Sequence, residues 1–131
     1  MVHILSTLGF MVVSFAVQAA SHFKINKAHF DAMTLTRENP ILPMGMAAMV
    51  IQGVIMSLAL ASWKGSAVTI TDGLVLSLVF GLFLLAYIGL AEPAKYSVPS
   101  IASWMKVEFA ASAVQFTLFG LALGYIHKYF A

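Results

Sequence analysis

The sequence predicts an all-α polytopic integral membrane protein, with four transmembrane helices in an antiparallel bundle, and three observations predict it. Four apolar runs, Val2 to Ala20, Met44 to Trp63, Leu74 to Ala91 and Phe109 to Ile126, occupy most of the 131 residues. Each lies near the ~20 residues a helix needs to cross a hydrocarbon core of ~30 Å at ~1.5 Å of rise per residue. The chain is 61% hydrophobic and 9% charged, against ~25% charged in an average soluble domain. It therefore has no polar shell with which to wrap four such helices in water. Finally, the prolines and all the Asp, Glu, Lys and Arg residues fall between the runs or just beyond their ends.

In chain order, the first span covers about residues 2–21 of a single domain, 1–131. Val17-Gln18-Ala19 followed by Ala20 has the small-residue look of a signal-peptidase site, but no Lys or Arg precedes it, so the segment is read as a retained helix. Ser21 to Pro43 is the longest connection and exceeds the ordinary range. It predicts a short helix capped by Asn26 and running through Ala28, Asp31 and Met33, with Phe23, Ile25, Phe30 and Leu35 dipping into the interface. Asn39-Pro40 and Pro43 then break the chain and open the second span, about 44–63, where proline is tolerated because the first helical N–H groups have no partner. Lys64 to Gly73 is a short polar return. The third span, about 74–91, ends at Glu92-Pro93. Pro99 and Ser100 signal a helix start well before the fourth span, about 105–127. A helix from Pro99 to Tyr129 is ~45 Å long, which leaves its first turns in the headgroup zone with Trp104 as an interfacial anchor.

Small residues predict how the spans meet. Gly53, Ser57 and Ala61 on the second, Gly81 and Gly89 on the third, and Gly120 and Gly124 on the fourth let backbones approach closely in lipid, where apolar burial supplies little drive. Stripes of this kind serve contacts within a chain and between copies alike. The expected partners are thus the bilayer, a second copy in a homo-oligomer or a larger membrane complex, and a lipid or small amphiphile. Nucleic acid is not among them, because a net charge of +2 is spread thinly. The absence of cysteine excludes disulfides, thiolate chemistry and iron–sulfur clusters.

Four spans put the first and third connections on one face of the membrane. That face carries Lys24, Lys27, Arg37, Lys95 and Lys106, and the other carries Lys64 and Lys128. The positive-inside rule then places these two connections in the cytoplasm and both termini outside, in an inner (plasma) membrane.

The polar residues inside the runs form a pattern. Thr7, Ser14, Gln18, Ser21 and His22 fall within ~100° of arc on the first helix. Gln52 lies on the second helix, Glu92 ends the third, and Glu108, Ser112 and Gln115 follow at i, i+4 and i+7 on the fourth. Span-end charges cost little, and glutamines can simply exchange interhelical hydrogen bonds of ~0.6 kcal/mol. The same set also describes a cytoplasm-facing polar vestibule with His22, Glu92 and Glu108 at its mouth and Gln18, Gln52 and Gln115 deeper. Lys95 and Tyr96 complete this candidate ligand-binding set, which suits a lipid-like or small amphiphilic ligand, or an accessory subunit of a membrane complex.

The rival readings use the same mouth. A lipid-modifying enzyme would run acid/base chemistry on the pair Glu92 and Glu108, but no nucleophile, nucleotide loop or electrophile accompanies them, so binding is favoured over catalysis and no catalytic residue is assigned. His22 and His29 with Glu92 and Glu108 have ligand types suited to zinc or iron without a tight motif such as HExxH, and no metal ligand is assigned. Met44, Met46 and Met49 are soft enough for Cu(I) but serve equally as apolar packing. His3 and His127 share the opposite face, where axial haem ligation between the first and last helices is conceivable. No cofactor follows from these patterns.

Overall fold

The computed structural model describes residues 1–33 and 36–131, and Leu35, one of the expected interfacial residues, lies outside them. Helix α1 (Val2–Ala20) continues through a π turn, Ser21–Ile25, into the short helix α2 (Lys27–Asp31). Helix α3 covers Leu42–Lys64. Helix α4 (Ile70–Ala86) likewise continues through a π turn, Tyr87–Ala91, into the single turn α5 (Glu92–Lys95), and α6 runs from Ile101 to Phe130. Four of the resulting rods are long and apolar enough to cross a membrane: Val2–Ile25, Leu42–Lys64, Ile70–Lys95 and Ile101–Phe130. The chain is a multi-pass, all-helical membrane protein. Its outer surface is correspondingly apolar, with Val12, Leu82 and Phe83 among many large side chains turned outward.

Three helix boundaries differ from the sequence reading, each for a local reason. Helix α4 begins at Ile70 instead of Leu74 because Thr69 and Asp72 form a capping box, in which each side chain takes the other residue's backbone N–H. Asp72 also pairs with Lys64 at 2.9 Å and so ties the end of α3 to the start of α4. Helix α2 stops at Asp31, and Asn26 does not cap it with its side chain; its Nδ2 donates to Ser21 Oγ instead. The third rod passes Glu92-Pro93 and ends at Lys95. There the π turn has already shifted the register, with Glu92 N–H bonded to Tyr87 five residues back, so Pro93 enters a ladder that no longer runs from i to i−4. At the start of α6, by contrast, the cap falls where expected: Ser100 Oγ accepts from Ser103 N–H.

Helix α6 packs mainly on α4, and α1 lies against both α3 and α6, while α3 and α4 meet only lightly. Glycine makes the α4–α6 seam close. A Cβ on Gly124 would lie 2.5 Å from the Ile70 carbonyl oxygen, and one on Gly120 would lie 2.8 Å from Leu74 Cα. The Gly120/Gly124 stripe is therefore occupied within the chain, backbone to backbone with α4. Gly53 does the same against Thr7 of α1. Between the two ends of the bundle sits an apolar layer in which Phe10 meets Phe119 edge to face at 4.9 Å, with Phe116, Met56, Leu60 and Leu123 around them.

Candidate functional site: a polar vestibule at one end of the bundle

The polar stripe of α1 faces inward, with Thr7, Ser14 and Ser21 buried. Below the vestibule, Gln18 Nε2 donates to Gln115 Oε1 at 2.8 Å, and Gln115 Nε2 donates to Ser14 Oγ at 2.9 Å. This chain of amides ties α1 to α6 and satisfies groups that hydrocarbon would otherwise leave unpaired.

Above it, His22, Glu92 and Glu108 line a single cavity of about 300 Å³ together with Phe30, Met33, Thr36, Ile88 and Trp104. Local structure explains how each arrives there. The first π turn carries His22, and His22 Nδ1 lies 2.9 Å from the Gln18 carbonyl oxygen. A carbonyl only accepts, so Nδ1 carries a proton, and when the ring is neutral its lone pair is at Nε2. Phe30, on α2, stacks on the imidazole at 3.7 Å between centroids, so the connection folds back over the end of α1. Across the cavity, Pro93 has no N–H to give, and the register shift leaves the Ile88 carbonyl without a helical donor; Trp104 Nε1 of α6 supplies one at 2.8 Å. That bond joins the third rod to the first turn of α6 and brings Glu92 toward Glu108. The two carboxylates line the same cavity. Among the described residues neither forms an ion pair; the two that occur are Lys27 with Asp31 and Lys64 with Asp72.

The other members of the sequence-derived set lie elsewhere. Gln18 and Gln115 form the amide chain beneath the cavity. Gln52 lines a separate apolar cleft of about 210 Å³ between α3 and α4, with Phe80, Phe83 and Phe116. Lys95 is exposed and donates to Tyr87 Oη at 2.8 Å, its ammonium also lying over the Tyr96 ring, so this trio forms a patch on the outer surface. Met44 and Met46 are exposed on α3. Among the described residues no three His, Asp or Glu side chains converge closely enough to hold a metal ion.

Sequence reasoning missed part of the lining. Trp104, expected as an interfacial anchor, also lines the vestibule and bonds the Ile88 carbonyl in its wall. His29, weighed above only as a metal-ligand type, has Nδ1 3.0 Å from Ser103 Oγ and so fastens the first connection to α6, leaving Nε2 buried without a partner among the described residues. Pro93 was the available signal for the first of these, because a proline at a helix end leaves a carbonyl that a neighbour must serve. No signal located the second. A comparison with known protein families, with curated proteins and with solved structures finds no match, so the reading of this site rests on its geometry.

Proposed function

We propose that this chain is a small ligand-binding membrane protein whose vestibule takes a lipid-like or amphiphilic molecule with a cationic, amine-bearing head. The observation that carries the reading is the convergence of His22, Glu92 and Glu108, from three separate helical stretches, on one cavity of about 300 Å³ with neither carboxylate paired among the described residues. Two carboxylates in a partly desolvated wall repel each other, and a bound cation offsets both that repulsion and the lost hydration. An ammonium head also finds the lone pair of His22 Nε2, and the Trp104 ring adds an attractive π face. Ile88 and Met33 suit the methylenes next to such a head. By the loop-charge rule, the vestibule opens toward the cytoplasmic leaflet of the plasma membrane.

The test titrates the purified full chain, in a nonionic detergent, with a long-chain alkylamine and with an alkyl phosphate of equal chain length. Tryptophan fluorescence in a Trp63→Phe background reports on Trp104. The amine should bind at least about tenfold more tightly than the phosphate, and Glu108→Gln, which keeps the shape and removes the charge, should cost the amine about tenfold, ~1.4 kcal/mol. Equal binding of amine and phosphate, unchanged by Glu108→Gln, would overturn the proposal.

A further inference from the structure

At the opposite end of the bundle, three side chains from three helices meet beyond the aromatic layer. His3, near the start of α1, places Nδ1 2.8 Å from Ser57 Oγ of α3, and the same oxygen lies 2.8 Å from Nε2 of His127, near the end of α6. Ser57 is fully buried and His127 is 3% exposed, while His3 is only partly buried and gives the cluster its contact with the outside. The two rings stand edge to face with centroids 5.9 Å apart.

A hydroxyl has one proton to donate and two lone pairs that accept. With both rings neutral, Ser57 donates to one and accepts from the other, and both bonds are made. One added proton changes little, because the charged ring donates to Oγ while the hydroxyl still donates to the neutral ring. A second added proton breaks the arrangement. Both rings then donate, the hydroxyl hydrogen has no acceptor within the cluster, and two positive charges face each other at 5.9 Å between packed helices.

Among the described residues no carboxylate lies within ion-pairing distance of either ring. His3 is the sole titratable side chain of α1, Val2–Ala20, and α3 contributes only Lys64. The one acid of α4, Asp72, is engaged by Lys64 and Thr69. On α6, Lys128 is exposed with its ammonium over the Tyr129 ring, and Tyr125 and Tyr129 stack on each other at the exposed surface.

We propose that His3, Ser57 and His127 form a proton-operated latch: closed across α1, α3 and α6 while the pair of rings holds at most one extra proton, and released by the second. Imidazole titrates within the range that separates cytoplasm from acidic compartments or media, so the latch makes the packing of this end sensitive to acid. It is independent of the vestibule ligand, since the layer of Phe10, Phe116 and Phe119 separates the two polar ends.

The experiment uses the full chain in mild detergent. The wild type should lose roughly 5 °C of melting temperature between pH 8 and pH 5, and His3→Gln, which keeps a hydrogen-bonding side chain but takes up no proton, should lose less than half as much. In the wild type with isotope-labelled imidazoles, the resonances of His3 and His127 should each respond to both of two resolved protonation steps, as coupled sites do. The same acid-induced loss in wild type and His3→Gln, or one independent step for each ring, would overturn the latch. Should His3→Gln fail to fold, the wild-type titration decides alone.

Discussion

A single missing N–H organises the wall of the vestibule. Pro93 cannot serve the carbonyl of Ile88 five residues back, and the indole of Trp104 does so across the helix gap at 2.8 Å. Removing that donor should leave a carbonyl unpaired in a poorly hydrated place, at a cost of ~1–2 kcal/mol. Trp104→Phe keeps the ring and loses the N–H, so its unfolding in mixed micelles should show that loss. The cost should shrink in a Pro93→Ala background, where residue 93 regains an N–H that can reach the same oxygen. A double-mutant cycle measures the coupling; additivity would show that the bond from Trp104 has nothing to do with the proline. Of this arrangement the sequence displays only the two ends, a proline near a span end and a tryptophan at an interface. The π turn that sets Ile88 against Trp104 is invisible to periodicity, because one residue of extra register within a long apolar helix leaves the pattern of apolar positions nearly intact.

The same distinction between pattern and partner holds for the helices. Small residues at four-residue spacing were legible on α3 and α6, but spacing shows that a face is smooth and not which helix lies on it. The complement to Gly120 and Gly124 is Gly73, which lies inside α4 only because the Thr69/Asp72 capping box starts that helix four residues before the apolar run. The signature of that box, Thr followed three residues later by Asp, stands in the sequence and was read as part of a polar return. Because backbone meets backbone here, a single methyl is enough to disturb the seam. Gly124→Ala should destabilise the protein by ~1–3 kcal/mol, the usual range for overpacking, since its Cβ would lie 2.5 Å from the Ile70 oxygen. Gly45→Ala, on an open face with nothing within 4 Å, should be neutral or slightly stabilising. Comparable melting temperatures for the two variants would show that α4 and α6 can part without penalty.

At the scale of the whole molecule, two polar ends are held apart by an aromatic middle, and the ends differ in charge. Lys24, Lys27, Arg37, Lys95 and Lys106 belong to the end with the vestibule, and Lys64 and Lys128 to the end with the latch. The four-rod architecture was legible because lipid demands long apolar helices and little else, and the convergence of His22, Glu92 and Glu108 was foreseeable because span ends on one face have few places to go. The separation of Gln52 into its own cleft was not, since it depends on α3 and α4 meeting only lightly. We propose a direction across the membrane from the charge asymmetry. Basic loops translocate poorly, so the vestibule end should face the cytoplasm and the turn after α3 the outside. The chain contains no cysteine, so single replacements report without background, and Lys27, Lys95 and Ser66 are all exposed. In intact cells a membrane-impermeant maleimide should label Ser66→Cys, while Lys27→Cys and Lys95→Cys should react only after lysis. The reverse pattern would invert the protein and turn the latch toward the cytoplasm without changing the bundle. Labelling of Ser66→Cys and Lys95→Cys from the same side would be incompatible with a third rod that crosses the membrane, because the two residues flank it.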